Sequence, residues 1–300
     1  MSTVARTFIA PVSYGLGDMV VSLPAIQALI EEGAPVWLVA RAPAQRLLAQ
    51  RVAGLAGVVD EAELALGADD RLIDLRDHSL QRDYWWGSAA FEAERGTMDI
   101  NQILQVICRD FGIKADFGRP SPLEAYPRRE LGGTVLLLHE TDGAHKTWPV
   151  QSWAALAAGL RADAHPVAQV TMGEAALPLD AAEVPVVVAQ TPGQAVDAIS
   201  GCRAVVGVDT GLAHIAVQQG IPTVVICRRS SVYVRPWPHC AALRGQECTE
   251  ECIAAENSYA YNQVVSLRDF RPSVRECPSG RPCVAGARPE DALALLRGLL

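Results

Sequence analysis

Aromatic residues are scarce in this chain of 300 residues, at 6% of the total. Its hydrophobic half (50%) is therefore mainly small and aliphatic, and with abundant Gly this is the composition of a soluble α/β protein. No apolar run reaches the length of a spanning helix, so no integral membrane segment is expected. Positive charge is also short: 26 basic residues face 34 acidic ones, a net charge of −8. That balance argues against a general nucleic-acid binder and gives no support for a strongly basic membrane face. The apolar stretch in MSTVARTFIAPVSYGLGD is too short for a signal peptide, and no small-residue cleavage pattern follows it. The eight cysteines are spread over a long chain, unlike those of a small disulfide scaffold, which leads to the expectation of a cytoplasmic protein. The length suits two domains, each with a core of its own.

What is present is most particular between Cys202 and Val225. Ala204 to Val208 reads as a strand buried on both faces, and Asp209-Thr210-Gly211 breaks it. Leu212, Ile215, Ala216 and Gln219 then recur at helical spacing up to Gly220, and Thr223 to Ile226 begins the next strand. A polar turn at the carboxyl end of such a strand is where open α/β sheets bind ligands. The N–H groups at the helix start favour an anion, most simply a phosphate, and Gly211 lets backbone come close. His214 lies one turn in, on the face of Thr210 and Gly211. The alternative is structural: Asp209 or Thr210 as an N-cap, Gly211 as a packing glycine and His214 as a satisfied surface residue.

Along the chain, strands are expected at Thr7–Ala10, Val36–Val39, Val58–Asp60 and Leu72–Leu75, with helices at Met19–Ile30, Ala42–Ala53 and Asn101–Phe111. The loop from Val12 to Asp18 contains Gly15 and Gly17, and Asp18 at a helix start is by itself a cap favoured by the dipole. A dinucleotide reading, with Arg41 on a 2′-phosphate, is weak because Val20 stands where the third glycine belongs. Asp74, Arg76, Asp77 and His78 form either an acceptor face or a solvated strand end. Tyr84-Trp85-Trp86 is either core or a stacking platform. Phe117 to Arg129, with three prolines, reads as the interdomain linker. Beyond it, strands are expected at Thr134–His139, Val167–Thr171 and Pro185–Val188, and helices at Val150–Leu160, Thr191–Ser200 and from Arg288 to Leu300. After Ile226 the chain turns irregular, and Arg228, Arg229, Ser230 and Ser231 are candidates to approach a phosphate or an acceptor.

D-T-G-x-x-H-I-A followed by G-I-P-T-V-V-I resembles the nucleotide-sugar site of the heptosyltransferase family, glycosyltransferase family 9. Two further stretches carry the same resemblance in family order: Gly15-Leu16-Gly17-Asp18 leading to Pro24-Ala25, and His139 to Pro149, with Lys146 before Trp148-Pro149. The resemblance implies a GT-B fold: two doubly wound, Rossmann-like α/β domains, 1–125 for the acceptor and 126–300 for the nucleotide sugar, with a cleft between. In such folds the last helix often packs back on the first domain.

It implies an inverting, metal-independent glycosyltransferase that moves a sugar, heptose by resemblance, from an ADP-sugar to an acceptor hydroxyl. Asp18 is then the catalytic base. Thr141, Lys146, Glu174, Asp209, Thr210, Gly211 and His214 bind the donor, Lys146 near the diphosphate and Glu174 at the ribose. Gly15 and Gly17 belong to the acceptor side or to the loop that leads to it. The acceptor is left open among a glycan, a protein and a small metabolite. No cofactor is required for catalysis, although Cys248, Cys252, Cys277 and Cys283 are spaced compatibly with a structural metal, buried thiols being the alternative. A GT-B sugar-nucleotide epimerase and a non-catalytic nucleotide-sugar binder are the competing functions.

Overall fold

The computed structural model describes residues 5–84, 86–141, 146–173, 176–228, 230–245 and 283–300. Short β-branched and aliphatic runs supply two wholly parallel sheets. β1 (Thr7–Ala10), β2 (Val36–Ala40), β3 (Gly57–Asp60) and β4 (Arg71–Asp74) form the first, in the order β3-β2-β1-β4. The second contains β5 (Val135–Leu138), β6 (Val167–Thr171), β7 (Val186–Val188), β8 (Ala204–Val208), β9 (Thr223–Cys227) and β10 (Cys240–Arg244). Its order, β10-β9-β8-β5-β6-β7, reverses direction between β5 and β8, where Leu138 pairs with Gly207. Ligands of doubly wound sheets sit at the carboxyl ends of the strands flanking such a reversal.

The helices are α1 (Leu16–Glu31), α2 (Pro43–Ala49), α3 (Ser79–Arg82), α4 (Ala89–Arg95), α5 (Ile100–Asp110), α6 (Val150–Ala162), α7 (Pro192–Gly201), α8 (Gly211–Gln218) and α9 (Pro289–Leu299). α1 begins three residues before the expected Met19, because the Gly15 N–H donates to the Asp18 carboxylate across the first turn. The strand β10 has no counterpart among the expected elements. Cys240-Ala241-Ala242-Leu243-Arg244 is poor in β-branched residues, and its order comes from parallel pairing to β9 at the sheet edge.

The two sheets are joined through their helices, with α1 lying on α8 and α2 on α7. A single apolar cluster runs from Ile9 and Met19 to Leu138, Leu212 and Ile215. Arg51 of α2 makes a two-pronged ion pair with Asp197 of α7 at 2.9 and 2.8 Å. The proline-rich segment from Phe117 is extended and held to both sides. Ser121 N–H donates to Gln218, Leu123 N–H to Gln219, Glu124 N–H to the Arg51 carbonyl and Tyr126 N–H to Asp197.

Among the described residues the last helix packs on the second sheet and not back on the first. α9 lies on α6 and on β8, β9 and β10, because Ala292 and Leu296 fill the second core beside Trp148, Trp153 and Leu160. The part that does return is the segment 230–237. Val232 offers its carbonyl to Ile100 N–H, and Tyr233 packs on Trp86, ring centres 5.6 Å apart. Trp86 is buried and donates to the Leu80 carbonyl, which settles it as core, while Trp85 lies outside the described residues. Among the described residues no helix is long and apolar enough to cross a membrane.

Candidate active site

The hub of the second half is Asp209, the first residue past β8. Its carboxylate accepts from His214 Nε2 at 3.0 Å and lies 3.8 Å from Lys146 Nζ, which also donates to the Asp209 carbonyl at 2.9 Å. Burial by itself raises this carboxyl; Lys146, the His214 hydrogen bond and the charge of Arg228 outweigh it and hold the group well below the usual carboxylate range. Asp209 is thus an ionised carboxylate that fixes Lys146 and His214.

Thr210 occupies the N-cap position of α8 in extended conformation, but its side chain makes no capping bond. Its Oγ1 is buried and has no partner. Together with the first N–H groups of α8, which have no acceptor within the helix, it forms a set of donors of the kind that favours an anion.

The first half brings the head of α1 to the same place. Asp18, half-buried, accepts the Gly15 N–H at 2.9 Å. Ser22 Oγ donates to the Asp18 carbonyl at 2.7 Å and accepts the Val12 N–H at 3.3 Å. Fully buried Gln45 donates to the carbonyls of Ser13 and Gly15, both at 2.9 Å, and accepts the Arg41 N–H. Gln45 thereby shapes the turn that presents Asp18. A glutamine on the buried side of α2 is the only signal of it in the sequence.

The two helix heads touch. A methyl group placed on Gly211 would stand 2.9 Å from Leu16 Cβ and 3.0 Å from Gly17 N; one placed on Gly17 would stand 3.1 Å from His214 Cδ2. Only glycine lets α1 and α8 approach so closely. Gly15, Gly17, Asp18, Lys146, Asp209, Thr210, Gly211 and His214 are therefore gathered at the end of the second sheet where its order reverses.

Thr141 follows β5 and is half-buried, whereas Glu174 lies outside the described residues. His139, also just past β5, carries no mark in the sequence that would assign it a role. It is buried with Nε2 unpartnered, and burial lowers its pKa against the opposing charge of Glu140, leaving a neutral ring. Glu140 itself accepts the Met172 N–H at 2.8 Å, tying the ends of β5 and β6 together.

Arg41 is not placed to receive a cofactor phosphate. It is almost wholly enclosed and engages Asp74, Glu61 and the Pro11 carbonyl. Asp74 also caps the turn at Arg76, whose guanidinium lies over the Tyr14 ring, and His78 pairs with Asp110. Of the four cysteines proposed for a metal, Cys248, Cys252 and Cys277 lie outside the described residues, and Cys283 is buried. Among the described residues no group of three or more His, Cys, Asp or Glu side chains is arranged to hold a metal ion.

Residues 114–259 match the family model of glycosyltransferase family 9 (heptosyltransferase). Among solved structures, the chain is similar to E. coli heptosyltransferase WaaC with ADP: 15% identity, 80% of this chain and 93% of that one, TM-score 0.60. E. coli ADP-heptose LPS heptosyltransferase II is 15% identical over 97% of this chain and 98% of its own, with a TM-score of 0.56. The iron-containing dodecameric glycosyltransferase TibC from enterotoxigenic E. coli H10407 is 15% identical over 98% of this chain and 76% of its own, TM-score 0.60. No curated protein matches the sequence.

Proposed function

We propose, from the match of residues 114–259 to the family model of glycosyltransferase family 9 (heptosyltransferase), that the chain is a member of that family and transfers heptose from ADP-heptose to an acceptor hydroxyl, inverting the anomeric carbon. The acceptor loses its proton to Asp18, and its oxygen attacks the anomeric carbon from the face opposite the nucleotide. The bond from that carbon to the diphosphate breaks, and ADP leaves with the electron pair. The developing charge meets the first N–H groups of α8, the Thr210 hydroxyl and Lys146, which do the work that a metal ion does in other transferases. Asp209 orients Lys146 and His214; Thr141 and Glu174 complete the donor side, Glu174 at the ribose. The acceptor enters from the side of Gly15 and Gly17. In this reading residues 1–125 and 126–300 are the acceptor and donor domains, and the enzyme works in the cytoplasm.

The observation that carries the reading is the contact of the two helix heads, with a carboxylate on one and unpartnered donors on the other. Two measurements test it. ADP should bind more tightly than UDP or GDP in calorimetry; equal or tighter UDP binding removes the donor assignment. Asp18→Asn should keep its melting temperature and ADP affinity while transfer falls by about a hundredfold or more, the usual worth of a general base. Transfer within a few-fold of wild type reduces Asp18 to a cap. Conversion of a UDP-sugar with no acceptor present would point to an epimerase instead.

A further inference from the structure

Pro24 stands inside α1 and has no N–H to give. A proline within a helix leaves the carbonyl four residues back without its bond, and its ring disturbs the turn beneath. In α1 the carbonyl that loses its donor is that of Val20, and the next along the helix is that of Val21; both residues are buried. Buried carbonyls are costly to leave unpaired. Both find donors on the other half of the molecule. Gln218, the last residue of α8, donates Nε2 to the Val20 carbonyl at 3.4 Å while its Oε1 accepts the Ser121 N–H at 2.8 Å. Arg235 donates Nη2 to the Val21 carbonyl at 2.6 Å and Nη1 to Asn101 of α5.

Arg235 is an expensive donor. It is 2% exposed, its Nε has no partner, and it is packed against the rings of Phe117 and Trp237. Burial pulls its guanidinium down to about 9, with Asp99 opposing through space. Two apolar side chains would join the halves at lower cost in desolvation, but they would leave the freed Val20 carbonyl without a donor and give Val21 no partner across the halves. These carbonyls lie two and three residues beyond Asp18, and Gln218 closes the same helix whose first residue abuts Gly17.

We propose that Gln218 and Arg235 are positioning residues: by bonding the Val20 carbonyl that Pro24 frees and the Val21 carbonyl beside it, they set the turn bearing Asp18 in register with the donor-side helix α8. The inference rests on the reading of Asp18 as base and α8 as donor site. Neither residue touches substrate; each acts through the backbone of α1.

The discriminating experiment is a cycle with Pro24→Ala, which returns an N–H to the Val20 carbonyl. With ADP-heptose as donor, Gln218→Met and Arg235→Met should each lower kcat per folded enzyme by about tenfold or more, the scale of a small misplacement of reacting groups. The dissociation constant of ADP should stay within twofold, and Arg235→Lys should recover part of the rate. In the Pro24→Ala background, Gln218→Met should cost less than twofold. An equal cost in both backgrounds overturns the proposal, as does an unchanged kcat per folded enzyme. If Arg235→Met does not fold, the Gln218 cycle decides alone. If wild type transfers nothing from ADP-heptose, the functional reading falls separately; the same cycle is then read in melting temperature, where additive losses overturn the carbonyl contacts themselves.

Discussion

Asp209 is enclosed yet ionised because Lys146, His214 and Arg228 surround it. Its folded pKa is depressed, so its stabilisation is complete above the unfolded value near 4 and disappears as pH falls through the lower folded value. Asp209→Asn should therefore lower the melting temperature by several degrees at pH 7, since breaking a buried pair costs about 3 kcal/mol. The gap should persist to about pH 5 and close only in stronger acid; calorimetry of both proteins across that range checks it. A gap that grows on acidification would mean that the carboxylate is a burden on the fold. The residues of this cluster are legible as a linear motif because a turn between strand and helix keeps them together. Gln45, Gln218 and Arg235 are not, since each acts on backbone carbonyls remote in sequence, and carbonyls leave no mark on side-chain patterns.

At the level of elements, the heads of α1 and α8 are matched by the absence of side chains. Gly211→Ala would bring a methyl against the backbone of Gly17, which cannot rotate away. The substitution should push the helices apart, lower the melting temperature and reduce transfer by about tenfold or more. Gly220→Ala is the useful contrast. Gly220 closes α8 at a φ of +71°, and a methyl placed there would meet nothing within 4 Å, so strain of about 1 kcal/mol should lower stability and spare turnover. Activity lost equally in both would show that the contact between heads has no special part in transfer. Most buried strands are readable from their aliphatic runs, because parallel strands covered on both faces need no alternation. The starts of α1 and β10 are not, one fixed by the Asp18 carboxylate accepting the Gly15 N–H and the other by edge pairing.

Across the whole molecule, the halves are held by a shared apolar cluster, the Arg51–Asp197 pair and the segment 230–237. Asp197 also receives the Tyr126 N–H, so Asp197→Ala strands both a cation that is 18% exposed and a linker amide. A loss of about 1–3 kcal/mol in urea unfolding is expected, with ADP affinity unchanged. Weaker ADP binding would show that α7 reaches the donor site.

The position of the last helix differs from the expectation because an amphipathic sequence says which face is buried and not against which sheet. α9 finds its partners beside Trp148 and Trp153.

The backbone of Gly17 lies against Gly211, the first residue of α8. If this contact screens the diphosphate site proposed at the first N–H groups of α8, the heads must part before the donor enters. The observed association rate of ADP should therefore level off at high nucleotide concentration, its ceiling being the opening rate of the protein. Stopped-flow mixing would show a plateau; a strictly linear rise would mean that the entrance stands open. Such an enzyme meets its donor on its own clock, however abundant the nucleotide sugar becomes.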